Sequence, residues 1–393
     1  MKRLFILLVC FALIFSGCST NQGLTQQKTE SGNTISGIWL TYSEINNMFS
    51  SQIGFKAEVE AVAKNCKETG IDLIFVHIRS FCDSLYESEY FPLIKNSQNI
   101  DFDPFEYMLT VFHNAGIKVH AWINPYRVQT ASEDINLLSP SSPAYKWLTD
   151  TSTENDTNVC MFDGIYLNPA SEEVRKLVID GVKEAVSRYD IDGIHFDDYF
   201  YPTAEASFDA ESYGNYTSKT VFPLSLEEWR RTNVNLLISG TYTAIKTLKP
   251  EVIFSISPTA DIEKNINLLY ADIEHWLKNG YVDWIIPQLY FGFEYPDENF
   301  RFENILKKWQ NLTSPYSVQL LIGLANYKIG TTEPYDSAEW NSKHDIIARQ
   351  ADICYKQEDI FGYVLFSLSS VFSDEELNIK QRQNLLKVKE KQE

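Results

Sequence analysis

Beyond residue 34 the chain alternates short apolar runs with stretches in which apolar residues recur every three or four positions. The runs at 37–42, 72–79, 118–125, 192–199, 252–258, 282–290, 318–327 and 362–369 read as strands. Between and after them, 56–69, 104–115, 171–189, 225–248, 266–279, 300–311, 339–355 and 374–387 carry helical periodicity. Boundary residues agree with this division. Pro104 follows Asp103 as a first-turn proline, Ser171 and Ser225 stand at N-cap positions, and Gly70, Gly116 and Gly280 fall where helices end. Strict alternation of strand and helix, with near-continuous apolar strands, predicts an α/β fold whose parallel sheet is covered on both faces. Eight such units close into a (β/α)₈ TIM barrel, here expected over residues 35–390. An open doubly wound sheet is the structural rival, and no GxGxxG supports it. The stretch 126–169 between the third strand and its helix is too long for an ordinary loop, so it predicts an insertion that walls or covers a cleft.

Alternation along each strand then sorts the side chains. On the third strand Val119, Ala121 and Ile123 share one face, and His120, Trp122, Asn124 and Tyr126 the other. Helices cover the outside of a barrel, so the polar series is expected to point inward. The same split opposes His77 and Arg79 to Ile74, Val76 and Ile78, and His195, Asp197 and Tyr199 to Ile194 and Phe196. It recurs with Ser255 and Ser257 on the fifth strand and with Gln288 and Tyr290 on the sixth. Polar residues converging on the C-terminal ends of several strands predict the active face, although His120 and Ser255 could equally be hydrogen-bonded core groups below it.

Composition narrows the partners. Asp and Glu total 53 against 34 Lys and Arg, a formal net charge of −19. Binding a phosphate backbone requires the opposite balance, so nucleic acid is not an expected partner. The N-terminus changes the picture more. Met1, Lys2 and Arg3 precede an apolar run over 4–15, too short to span a bilayer and of the length of a signal h-region. It ends in Phe15-Ser16-Gly17-Cys18, which resembles a bacterial lipobox, with Phe15 where Leu is usual. The resemblance implies cleavage after residue 17, lipidation of Cys18 and an extracytoplasmic, membrane-anchored protein. Residues 18–34, rich in Ser, Thr, Asn, Gln and Gly, are expected to form a flexible tether. Cys66, Cys82, Cys160 and Cys354 show no CxxC pairing and read as buried free thiols rather than a zinc site or a disulfide scaffold. No metal and no cofactor are expected.

The sharpest chemical signal is Asp192-Gly193-Ile194-His195-Phe196-Asp197-Asp198-Tyr199. Two adjacent carboxyl groups at a strand end inside an apolar barrel repel each other and lose hydration, and both effects raise a pKa toward the range of a general acid. Asp197 is the expected proton donor and Asp198 its tuning or substrate-orienting neighbour, unless Asp198 instead caps a turn. Tyr199, Phe200, Tyr201, Phe208, Tyr213 and Tyr216 follow the fourth strand, and Tyr290, Phe291, Phe293 and Tyr295 the sixth. Aromatic walls with Arg, Asn and Tyr groups among them suit a glycan, whose rings present apolar faces edged with hydroxyls. The expected substrate contacts are Trp39, His77, Arg79, Trp122, Asn124, Tyr126, Arg127, His195, Tyr199, Gln288, Tyr290 and Glu294.

At these residues the chain resembles a family. His120-Ala121-Trp122-Ile123-Asn124-Pro125-Tyr126-Arg127, Leu167-Asn168-Pro169 with Glu173-Val174-Arg175, the fourth-strand motif, and Trp284-Ile285-Ile286-Pro287-Gln288-Leu289-Tyr290 are similar to the family-ten glycosyl-hydrolase-like lipoproteins of bacteria. The resemblance implies a TIM barrel that hydrolyses glycosidic bonds, with peptidoglycan glycan strands the substrate suggested for some relatives. The fourth strand also looks like a departed form of the chitinase pattern DGxDxDxE. Asp192, Gly193 and Asp197 match it, whereas His195 replaces an Asp and Tyr199 stands at the position of the catalytic Glu.

Most glycosidases use two carboxyl groups. Asp261, Glu294 and Glu44 are the loop candidates for the second. Alternatively, the acetamido group of an N-acetylhexosamine attacks its own anomeric carbon, oriented by Asp198 and Tyr290. Two other classes compete: a metal-dependent hydrolase or deacetylase using His77, His120 and His195 with Asp197, and a glycan-binding barrel without catalysis.

Overall fold

The computed structural model describes residues 34–97, 100–332 and 335–391. Residues 1–17, Cys18 and the tether up to residue 33 therefore lie outside the described residues. Eight parallel strands close into a barrel: β1 (Ile35–Leu40), β2 (Leu73–Arg79), β3 (Lys118–Ile123), β4 (Gly193–Phe196), β5 (Ile253–Ile256), β6 (Trp284–Ile285), β7 (Gln319–Leu324) and β8 (Ile360–Leu365). β1 pairs with both β2 and β8, so the last strand closes the sheet on the first. Around it run α1 (Gln52–Glu68), α2 (Pro104–Asn114), α3 (Glu172–Arg188), α4 (Leu226–Leu248), α5 (Ile273–Asn279), α6 (Phe302–Thr313), α7 (Ile346–Lys356) and α8 (Glu376–Glu390).

The expected caps form. Asp103, with Pro104 behind it, accepts the amides of Phe105 and Glu106, while Ser171 and Ser225 accept those of Val174 and Glu228. Two periodic stretches are each broken in two. Short helices Ile262–Asn267 and Glu339–Ser342 precede α5 and α7; Asp272 opens α5 by accepting the His275 amide, whereas Asp345 stands at the N-cap of α7 without a side-chain capping bond. The insertion after β3 is built around a three-stranded antiparallel sheet of Arg127–Thr130, Gly164–Leu167 and Val159–Met161, with a helix at Pro143–Thr149.

The core has two layers, as the alternation requires. Ile74, Val76, Val119, Ala121, Ile194, Phe196, Phe254 and Ile256 face the helices. Trp39, Leu73, Phe75, Trp122, Trp284, Ile286, Leu321, Phe361 and Val364 form a separate cluster that fills the lumen. The barrel is thus a plugged core, and any ligand must sit above the plug, at the C-terminal strand ends. Cys66, Cys82, Cys160 and Cys354 are free and buried.

Candidate active site

β4 delivers the acidic pair. The strand ends at Phe196, so Asp197 and Asp198 occupy the first two positions beyond it. Asp197 is 2% exposed. Trp122 Nε1 donates to its Oδ2 at 3.2 Å, and the Tyr199 amide to its Oδ1 at 3.4 Å. With its amide turned so that both ends are satisfied, Asn124 donates to both Asp197 oxygens and accepts from Arg127 Nη1 at 3.2 Å. Burial first, and then the neighbouring Asp198 charge, push the Asp197 carboxyl up to about 8 against the opposing pulls of Arg127 and these donors. Asp198 is only partly exposed and is also raised, by burial. Its Oδ1 accepts from Gln288 Nε2 at 3.3 Å, and the same nitrogen donates to the Ser257 carbonyl at 3.0 Å.

Beneath the pair, His195 is fully buried and held at both ring nitrogens. Trp39 Nε1 donates to its Nε2 at 3.2 Å, and since an indole N–H can only donate, Nε2 carries the lone pair. Nδ1 then carries the proton and donates to Ser255 Oγ at 2.8 Å, with Ser257 Oγ at 3.1 Å from Nε2. Burial, followed by His120 and His77, keeps the pKa of His195 well below the usual histidine value, so it is a neutral strut. His120 lies deeper, stacked on Trp284 with centroids 5.0 Å apart, and is lowered to about 3 by burial. Its ring explains Gly193: a Cβ there would come within 2.5 Å of the imidazole. Among the described residues no three His, Cys, Asp or Glu side chains converge as metal ligands.

The walls are aromatic, but not by all the rings that the sequence suggests. On one side Tyr290 packs against Phe366 and edge-on against Tyr327, which is 40% exposed. Burial and the nearby acids hold the Tyr290 hydroxyl well above its usual pKa, so it is a neutral donor. Toward β3, the Arg127 guanidinium lies 3.9 Å from the centroid of Tyr199, itself 51% exposed. Across from them His77 stacks on Trp122 at 3.7 Å, with Tyr42 edge-on to both His77 and Phe81. Tyr42, Phe81, Tyr327 and Phe366 were not among the expected contacts, although all four follow barrel strands closely. Position after a strand's C-terminal end was the available signal.

Several expectations are corrected. Arg79 does not share the inward face of His77. The register between β2 and β3 shifts between His77 and Arg79, and the guanidinium turns outward onto the Phe91 ring, 3.7 Å away, against Gly181 of α3. Tyr126 is 1% exposed and belongs to the outer core, because β3 ends at Ile123 and alternation lapses through Pro125. Glu294 is an exposed rim residue paired with Lys343, which holds its carboxyl below the usual range. Asp261 caps the helix Ile262–Asn267. Glu44 accepts from Thr41, Ser367 Oγ and the Ser369 amide. All three loop candidates for a second carboxylate are thus committed elsewhere. Phe200, Tyr201 and Phe208 are buried as loop core, and Tyr213 and Tyr216 pack on Trp229.

Comparison with known proteins places the chain in a family. The chain is similar to the protein named Glycosyl hydrolase YngK of Bacillus subtilis (strain 168), 29% identical over 369 residues, 87% of this chain and 69% of that protein. It is 28% identical over 382 residues to Glycosyl hydrolase DigH of Escherichia coli (strain K12), covering 87% of this chain and 84% of that one. Among solved structures, the PgaB (BpsB) glycoside hydrolase domain from Bordetella bronchiseptica superposes with a TM-score of 0.61 at 10% identity, covering 90% of this chain and 98% of that one. The endo-1,4-beta-mannanase from Rhizomucor miehei gives 0.56 at 11% identity, covering 91% and 95%. At such identities these two likenesses bear on the fold alone. Residues 34–342 match the family described as Glycosyl hydrolase-like 10, and on that match the chain belongs to it.

Proposed function

We propose that this glycoside hydrolase cleaves N-acetylhexosamine-containing glycans, peptidoglycan strands foremost, with Asp197 as general acid. The observation that carries the reading is Asp197 itself, buried beside a second carboxyl group and pushed up to about 8, which keeps it protonated at neutral pH. With Glu44, Glu294 and Asp261 committed elsewhere, Asp198 is the carboxyl group left beside the acid, and it is an immediate chain neighbour rather than a partner across the cleft. This favours substrate assistance. The Asp197 proton passes to the glycosidic oxygen as the C–O bond breaks, and the acetamido oxygen of the same sugar bonds to the anomeric carbon. Asp198 accepts the acetamido N–H, Tyr290 donates to the acetamido oxygen, and the resulting oxazolinium is opened by water as Asp197 takes back a proton. The aromatic cleft suits the apolar faces of sugar rings.

The N-terminal run and Cys18 support export and lipid anchoring, which would hold the barrel against a bacterial envelope and its glycan. Globomycin-sensitive processing, or loss of membrane retention on Cys18→Ala, tests that part separately. For the activity, peptidoglycan strands freed of stem peptides are incubated with the protein and new reducing ends are counted. Asp197→Asn is expected to lower the rate by about a hundredfold or more with the fold intact. Full activity in that variant defeats the assignment. Binding of the strands with no new reducing ends from the parent protein would leave a glycan-binding barrel.

A further inference from the structure

A small pocket of about 80 Å³ lies at the mouth of β1 and β2, beyond the groups assigned to the reaction. Its place relative to the acid is fixed by rings. His77 forms one wall, Trp122 stacks on His77 at 3.7 Å, and Trp122 in turn donates to Asp197 at 3.2 Å. Ile45 and Ile94 with the rings of Tyr42 and Phe81 give the pocket an apolar part, while Asn46 and Asp83 give it polar groups of both kinds. Asp83 Oδ1 is taken by the amides of Ser80 and Phe81, at 3.2 and 3.0 Å, and the same carboxyl group lines the pocket as an acceptor. The surroundings argue against a charged occupant. Asp83 disfavours an anion, and Arg79 behind it with Arg127 beyond Phe81 disfavours a cation.

What remains is a small neutral group with an N–H, a carbonyl and an apolar end. We infer that this pocket is a second acetamido subsite, which takes the N-acetyl group of the sugar next to the one being cleaved. The inference rests on the glycosidase reading above and adds the requirement for two consecutive N-acetylated residues. Topology supports it. β2 and β6 are four strands apart in either direction around the eight-stranded barrel, so they face each other across its mouth. Tyr290, which donates to the reacting acetamido group, and Gln288, which holds Asp198, follow β6. In a β-1,4-linked hexosamine chain alternate sugars are rotated by roughly half a turn, so successive acetamido groups point to opposite sides. One then falls to the β6 side and its neighbour to the β1–β2 side, with Asp197 after β4 between them. In this arrangement the Asp83 carboxyl group accepts the N–H, the Asn46 amide donates to the carbonyl, and the methyl group packs against Ile45 and Ile94.

The test reads binding without turnover, in the Asp197→Asn background, by calorimetry with a β-1,4-linked N-acetylglucosamine tetramer and the uncharged β-1,4-linked glucose tetramer, which lacks the acetamido groups. Asp83→Asn keeps the turn, because its carbonyl oxygen still accepts from Ser80 and Phe81, but it presents an NH₂ donor to the ligand N–H. Asn46→Trp fills the pocket from a half-buried position in the short helix Tyr42–Met48 that follows β1. Each is expected to weaken the acetylated tetramer about tenfold, the worth of one such hydrogen bond, and to leave the glucose tetramer unchanged. Variants that melt like their parent yet bind the acetylated tetramer as tightly, or lose both tetramers equally, overturn the subsite. Loss of the subsite with tight binding in the parent leaves the glycosidase reading standing, whereas a parent that binds neither tetramer sinks both.

Discussion

Asp197 is held in two states by opposing groups, and its pH behaviour should report the balance. Its carboxyl is raised to about 8 by burial and by Asp198, so the catalytically useful protonated form prevails below that pH. At substrate well below saturation, where kcat/KM reports the free enzyme, the rate is expected to fall as pH rises through about 8, and a profile that instead rises there would contradict the role of acid. Stability has a matching sign. Because the folded pKa lies above the unfolded one, the stabilisation is complete below about 4 and is lost progressively as pH rises toward 8. Asp197→Asn removes the ionisable group, so its melting temperature should exceed that of the parent by more at pH 8 than at pH 5. Gly193 makes a second residue-scale case. Its Cβ would meet the His120 ring at 2.5 Å, and that ring is confined by Trp284 and Phe75. Gly193→Ala is expected to cost about 1–3 kcal/mol of stability, as overpacking does, measured by denaturant titration. The glycine of the motif therefore serves the barrel plug, while the two aspartates after the strand serve the cleft.

At the scale of elements, the loop after β4 is held by one buried ion pair. Arg230 of α4 donates to Asp209 from Nε at 3.1 Å, to the Tyr270 hydroxyl at 3.0 Å and to the Glu205 carbonyl at 2.8 Å. Both charged side chains are completely buried, so removing one strands the other. Arg230→Met should cost about 3–5 kcal/mol, and hydrogen exchange should rise first in the segment 200–210, which leads directly from the acidic pair. This clamp was not read from the sequence, since partners 21 residues apart through an irregular loop leave no periodic trace. Elements with a period were legible: all eight strands overlap the apolar runs, and six of the eight helical stretches form unbroken helices close to their expected bounds. Legibility failed where the period itself is interrupted. The shift after His77 sent Arg79 outward, the end of β3 at Ile123 released Tyr126 into the outer core, and Asp272, which caps α5, looked like an ordinary surface position. The aromatic count after β4 misled for a related reason: composition does not say whether a ring faces the cleft or packs its loop, and Phe200, Tyr201 and Phe208 do the latter.

Across the whole molecule, the seam between the first and last strands decides where the folding unit ends. The family match stops at residue 342, yet β8 and α8 lie beyond it. β8 pairs with β1 from Ile35 opposite Gly362 to Ile38 opposite Leu365, and with β7 along its other edge. Phe361 and Val364 contribute to the luminal plug that also contains Trp39, whose indole N–H fixes the tautomer of His195 under the acid. Glu44 crosses the same seam, from the short helix Tyr42–Met48 between β1 and α1 to Ser367 and Ser369 after β8. A chain ended at residue 342 would lose these contacts together and leave β1 and β7 as unpaired edges of an open sheet, a template for association with other chains. Such a chain is expected to aggregate or to unfold without a cooperative transition. The chain ended at residue 391 should give a single transition by circular dichroism and by tryptophan fluorescence alike. A monomeric, cooperatively melting protein that ends at 342 would mean that the first seven strands form a stable sheet without closure, and that the acidic pair does not depend on the seam for its place.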